Sequence, residues 1–244
     1  NSAATRNSVA NISKSALSGP CTVVFQAVDR NTHSMKLKQL KSMLDGVETF
    51  AKPNIQLEQF PTPPDIAAEV LHHIWSAGDI EDQFVVDLGC GGGILTIGAA
   101  LLGAEHVLGV DIDPDPLEIS RGNAEQFEVV GAVSFIQADA TSSLAETLRQ
   151  TADTVIMNPP FGTRNKGADL AFVETAALIC RGSIYSLHKS STRQHLVRKA
   201  GQRGLKCEVI AQLRFNIDRM YSFHKSESRD IEVDFVRFTK LVPQ

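Results

Sequence analysis

From residue 84 to residue 200 the chain alternates short apolar, β-branched runs with stretches of helical periodicity. Phe84-Val85-Val86-Asp87 leads through a glycine-rich turn to a helix over about 94–102. His106-Val107-Leu108-Gly109-Val110-Asp111 leads to a helix over about 114–127. Val133-Ser134-Phe135-Ile136-Gln137-Ala138-Asp139 leads to one near 143–148. Asp153-Thr154-Val155-Ile156-Met157 leads to one around 169–180, and Ser183-Ile184-Tyr185-Ser186-Leu187 to a basic helix around 191–200. Strands joined through helices need crossover connections, so this pattern predicts a parallel, doubly wound α/β sheet. Two longer runs, 206–215 and 231–238, close the chain with only a polar loop between them. They are expected as an antiparallel pair at one edge, which makes seven strands in all.

A chain of 244 residues supports one sizeable domain with a well-buried core. Its net charge of −4 excludes nucleic-acid binding by bulk charge alone, so any such role needs a local patch or a partner's surface. The four cysteines are scattered and form no CxxC pair, so neither a zinc site nor a disulfide framework is indicated. No apolar run approaches the ~18–20 residues of a membrane span. Residues 1–34 are rich in Ser, Asn, Ala and Thr, with Asp29 as their only acid. They read as a disordered extension or as sequence upstream of a start at Met35, with an organellar transit segment as a weaker alternative. Residues 35–244 are the expected folded domain. Gln59-Phe60-Pro61-Thr62-Pro63-Pro64 reads as a stiff extended segment, and Asp65 as the N-cap of a helix through Ile66, Val70, Leu71 and Ile74.

Asp87, Asp111, Asp139 and Asn158 are expected at the ends of four successive strands, which in a parallel sheet share the edge where ligands bind. The turn Asp87-Leu88-Gly89-Cys90-Gly91-Gly92-Gly93 departs from the dinucleotide fingerprint, because Ile94 stands where a third glycine is needed. It resembles the first motif of the S-adenosylmethionine-dependent methyltransferases. Asp111 lies at the distance expected for a carboxylate on two vicinal hydroxyls. Asp113 reads as a helix cap. Asp139 either accepts from an adenine amino group or starts a loop or helix as its cap.

Asn158-Pro159-Pro160-Phe161 follows the fourth run. The amide oxygen and the Pro159 carbonyl are two acceptors, and Phe161 is an aromatic face, so the four residues describe a seat for a planar amino group. The plainer reading is a strand ending in a proline-rich turn. Against a sulfonium methyl donor, such a seat works by in-line placement and electrostatics, and no dedicated general base is expected.

Together with the glycine turn, this motif resembles the amino-methyltransferases that act on adenine, guanine or glutamine amides. Five longer stretches sharpen the likeness: 54–64, Ala138-Asp139, 153–163, 185–193 and 230–234. They resemble the methyltransferase-like protein 5 family, the adenine-N6 methyltransferases of small-subunit (18S) ribosomal RNA, over residues 35–240. The resemblance implies a Rossmann-like class I fold using S-adenosylmethionine. It implies that Gln59 and Thr62 fold over the cofactor, that Asp87, Gly89, Cys90, Gly91, Asp111, Ile112, Asp139 and Asn158 bind it, and that Asn158 to Phe161 hold a flipped adenine. It also implies a small zinc-binding activator subunit as heterodimer partner, and residence in nucleus and cytoplasm. Within the basic stretch after the fifth run and the 216–230 loop, Lys189, Arg193, Phe223 and Lys225 are the expected RNA contacts. A solvated helix face and a surface loop are the alternative. Guanine N2 or a protein amide as acceptor, an inert binding subunit, and a nucleotide-linked oxidoreductase are the competing functions.

Overall fold

The computed structural model describes residues 35–50, 52–142, 144–217 and 229–241. Among these the strands are β1 (Phe84–Leu88), β2 (His106–Asp111), β3 (Val133–Gln137), β4 (Ala152–Met157), β5 (Cys180–Lys189), β6 (Leu205–Ile217) and β7 (Arg229–Lys240). The helices are α1 (Leu37–Leu44), α2 (Pro64–Ser76), α3 (Ile94–Leu101), α4 (Pro114–Gln126), α5 (Leu144–Thr147), α6 (Ala168–Ile179) and α7 (Arg193–Gln202). They build one seven-stranded sheet in the order β3-β2-β1-β4-β5-β7-β6. β1 to β5 run parallel, and β7 lies antiparallel between β5 and β6. The doubly wound sheet with an antiparallel edge pair is therefore present as expected.

Successive residues of a strand face opposite sides of a sheet, and here both sides are covered. Val85, Val107, Ile156, Tyr185 and Leu187 pack on one side under α1, α2 and α3. Val86, Leu88, Val155, Met157 and Ile184 pack on the other, under α6 and α7. This is why the strands read as continuous apolar runs rather than as alternating ones.

Three boundaries differ from the sequence reading. β3 stops at Gln137, so Asp139 lies two residues beyond the strand. β5 begins at Cys180, directly after α6, and extends to Lys189. Pro63, not Asp65, occupies the N-cap of α2, and Asp65 lies in its first turn. Pro64 at the first helical position has its φ preset and no N–H to satisfy, so the helix starts two residues earlier. Residues 1–34, Phe223 and Lys225 lie outside the described residues.

Candidate active site

The strand order reverses between β1 and β4, and ligands of open α/β sheets bind at that point. After β1 the backbone turns tightly, with Gly89 and Cys90 N–H both donating to Val110 O at 2.8 and 3.0 Å. Gly91 N–H donates to Asp111 Oδ2 at 2.8 Å, and Asp113 N–H to Asp111 Oδ1 at 3.0 Å. Gly91 adopts φ +52°, and a Cβ there would stand 2.9 Å from Phe50. Two α4 side chains that sequence reasoning missed hold the turn: Ser120 Oγ donates to Gly91 O at 2.7 Å and Asn123 Nδ2 to Gly92 O at 2.8 Å. Asn123 also exchanges hydrogen bonds with the backbone of Glu48.

Asp87 is 1 % exposed. Thr96 donates its hydroxyl to Asp87 Oδ2 at 2.7 Å, while Oδ1 has no hydrogen-bond partner among the described residues. Burial pushes the Asp87 carboxyl up to about 7, with the nearby Asp111 adding to the rise and Thr96 opposing it. Burial also raises Asp111, despite its two backbone donors. An unpartnered carboxylate oxygen on a cavity wall is poised to receive a cationic or donor group.

Above these strand ends runs a strap, residues 54–63, which opens with a 3-10 turn over Ile55–Leu57 and is pinned at three places. Gln59 Nε2 donates to Asp113 Oδ2 at 2.8 Å. Asp113 Oδ1 meanwhile caps α4 by accepting from Asp115 N–H at 3.1 Å, as the sequence reading expected. Asn158 Nδ2 donates to Thr62 Oγ1 at 3.0 Å and to Phe60 O at 3.3 Å. The third pin, Glu58, escaped the sequence reading. Its carboxylate is buried and receives the Thr163 hydroxyl and the N–H groups of Thr163, Arg164 and Asn165. Burial alone would raise this carboxyl, but those four donors together hold it below its usual value. Glu58 adopts φ +51°, an unusual conformation for a side-chain-bearing residue, which the four bonds maintain.

The strap gives Asn158 a fixed orientation. A backbone carbonyl can only accept, so Phe60 O requires Nδ2 on its side, and Oδ1 faces away as a remaining acceptor. A cavity of about 240 Å³ lies between strap and glycine turn, bordered by Phe50, Phe60, Thr62, Asp87, Gly91 and Asn158 among others. Gly89 and Cys90 line it too. Gln59, Asp111, Ile112, Asp139 and Phe161 do not. Asp111 and half-exposed Ile112 lie beyond its rim, on the β2 side. Asp139 is exposed, and its Oδ1 accepts from Thr141 N–H and Oγ1 at 2.8 and 2.7 Å, so its observed work is to close a turn.

Phe161 is not the open platform that the sequence suggested. It is 7 % exposed. The Phe60 ring lies 6.4 Å from it, centroid to centroid, at 17° to its plane, and Lys189 Nζ lies 5.6 Å from its centroid. Pro159 is buried beside it. Arg193, expected on RNA, instead makes a two-pronged ion pair with buried Asp234, Nε to Oδ2 and Nη2 to Oδ1, both at 2.6 Å. The expectation overlooked a buried acid 41 residues downstream that needs a cation.

A parallel five-strand core, an antiparallel strand slipped in before the last one, and a ligand site over the glycine turn together define a Rossmann-like class I methyltransferase. Sequence relatives narrow the class. The zebrafish rRNA N(6)-adenosine-methyltransferase METTL5 is 49% identical over 207 residues, covering 84% of this chain and 99% of that protein. The Drosophila melanogaster counterpart is 46% identical, covering 84% and 96%. This chain belongs to the METTL5 family. The ribosomal protein L11 methyltransferase (PrmA) family model matches residues 69–159, the stretch carrying the glycine turn and the acids. Among solved structures, the candidate RNA methyltransferase PH1948 of Pyrococcus horikoshii shares the fold with a TM-score of 0.72 at 33% identity, covering 84% of this chain and 96% of that one.

Proposed function

We propose that this protein transfers a methyl group from S-adenosylmethionine to the N6 amino group of an adenine in small-subunit (18S) ribosomal RNA. The observation that carries the reading is the fixed amide of Asn158, whose Nδ2 is held by Phe60 O and Thr62 Oγ1 so that Oδ1 stays free to accept from an amino group. Kinship with the METTL5 relatives supports adenine over guanine N2 or a glutamine amide, for which the same seat would serve.

The residues fit the cofactor. Asp87 Oδ1 is a buried acceptor without a partner among the described residues, suited to a cationic amino group, and the glycine turn leaves backbone where a side chain would collide with Phe50. Each Asp111 oxygen takes one backbone donor and retains room for a hydroxyl. When bound, the cofactor supplies an electrophilic methyl with a neutral thioether as leaving group. Asn158 Oδ1 and the Pro159 carbonyl hold the two hydrogens of the acceptor amino group and turn its lone pair toward the donor cavity. Positioned dipoles carry the attack, and the proton left on the methylated nitrogen passes to solvent after the transfer, so no general base is required for the transfer itself.

A small zinc-binding activator subunit completes the reading. Among the described residues β3 is an edge of the sheet, and exposed Val130 and Ile112 flank it, an apolar border that a partner would cover. Nucleus and cytoplasm follow as the compartments in which small ribosomal subunits are made and used. The test is to incubate the purified protein, alone and with such a subunit, with labelled S-adenosylmethionine and total RNA, then digest to nucleosides. Label in N6-methyladenosine of 18S RNA is the expected result, and label in protein overturns it.

A further inference from the structure

The acceptor residues follow β4, but the strap reaches them, and one strap side chain has no assigned role. We propose that Phe60 is the second aromatic wall of the acceptor slot, so that the target base is held between Phe60 and Phe161. The inference rests on the adenine reading above and deepens it.

Four observations carry it. The two rings are 17° from parallel with centroids 6.4 Å apart. A planar base between two parallel rings needs two stacking intervals of roughly 3.4 Å each, so the near-parallel pair has the orientation of such walls and must part to admit one. Second, the carbonyl of the same residue receives Asn158 Nδ2 at 3.3 Å. A base lying against Phe60 therefore presents its edge to the Asn158 amide without any further alignment. Third, Phe60 lines the cavity shared with Asp87 and Asn158, whereas Phe161 does not. Phe60 thus borders the donor cavity while its ring faces Phe161. Fourth, the two walls belong to segments tied together. Glu58, two residues before Phe60, bonds Thr163, Arg164 and Asn165, which directly follow Phe161 and Gly162. The spacing of the slot is set by that carboxylate. Pro61 adds stiffness by restricting Phe60 to extended backbone.

The chemistry selects a ligand class. Two flat π-faces with an amide acceptor at the edge favour a planar heterocycle bearing an exocyclic amino group. A glutamine side chain would leave one ring face bare. Phe60 is then a specificity residue as well as a wall.

The test compares Phe60→Leu, which removes the ring but keeps the carbonyl that holds Asn158, with Phe60→Tyr, which restores a ring. Cofactor affinity is read by calorimetry, and kcat and KM are read on RNA by N6-methyladenosine formation. Phe60→Leu is expected to lower kcat/KM for RNA by roughly 5- to 150-fold, several times more than it lowers cofactor affinity at the cavity it borders, and Phe60→Tyr to recover most of that loss. Activity of Phe60→Leu within about twofold of wild type overturns the inference alone. A matching loss of cofactor affinity in Phe60→Leu assigns the ring to the donor cavity and also overturns it. If the wild-type chain labels protein instead of RNA, the adenine reading falls and the slot with it.

Discussion

Glu58 and Thr163 meet across 105 positions of sequence, with the Thr163 hydroxyl and N–H donating to one carboxylate oxygen at 2.6 and 3.1 Å. The contact couples the strap to the loop after Asn158-Pro159-Pro160-Phe161. Glu58→Gln keeps the shape but replaces half of the acceptor with a donor facing N–H groups. It should cost about 1–3 kcal/mol of stability, a fall of roughly 2–10 °C in melting temperature by calorimetry. The folded-state carboxyl lies below its usual value, so its stabilisation is complete above about pH 4.5 and disappears as pH falls further. Wild type should lose stability in that acid range more steeply than Glu58→Gln, and parallel curves would refute the assignment.

Asn158→Ala should reduce kcat by about 10²–10³-fold, the usual effect of losing a positioned transition-state dipole, far more than it weakens cofactor binding at the cavity it borders. Thr62→Val removes one of the two groups that orient the amide. It should lower kcat by about tenfold with little change in cofactor affinity. Equal activity of Thr62→Val and wild type would mean that Phe60 O suffices to orient Asn158.

Asp87 carries a proton in the free protein up to about pH 7, and a cationic amino group beside Oδ1 would expel it. S-adenosylmethionine binding should release close to one proton at about pH 6 and almost none above about pH 8. Calorimetry in two buffers of different ionisation enthalpy measures this, and Asp87→Asn should abolish the buffer dependence. The sign for stability is opposite to that of Glu58. Because folding raises this carboxyl, the ligand-free protein should lose stability as pH rises from about 4 to 7, and Asp87→Asn should flatten that slope.

Lys189 and Arg193 should behave differently, although the sequence suggested the same role for both. Lys189 stands over Phe161 beside the acceptor slot. Lys189→Glu should weaken RNA binding and reduce the slope of log K against log salt by about 1. Arg193→Glu leaves Asp234, 1 % exposed, without its cation and should lower the melting temperature without changing that slope. A slope change in Arg193→Glu alone would reverse the two assignments.

What could be read in advance followed from local chemistry. β-branched runs ending in acids gave the strands and their ligand-facing ends, because burial on both faces dictates the composition of each strand directly. Asp111 and Asn158 are where that logic put them, and Asp87 is one residue from its strand end. The logic failed where the decisive partner is far away in sequence. Nothing around Glu58 announces that it will bond residues 163–165, and nothing around Arg193 announces Asp234. The position of β7 between β5 and β6 depends on which edges remain to be paired once the parallel core exists. Asp139 closes a turn with one oxygen, because an acid just past a strand end can do that as readily as hold a ligand. The cover over Phe161 was not legible because it comes from Phe60 on the strap.

The strap also gives the site a history. Phe60 and Thr62 wait for Asn158, 98 and 96 positions later, and Glu58 waits for Thr163. A chain emerging from its own ribosome presents the strap, the glycine turn and Asp111 long before these closing partners exist. Most of the cavity wall comes from residues 47–95, but Asn158 and Phe215 complete it, so donor and acceptor sides close together when the fourth strand and the later edge strands arrive to lock the strap down.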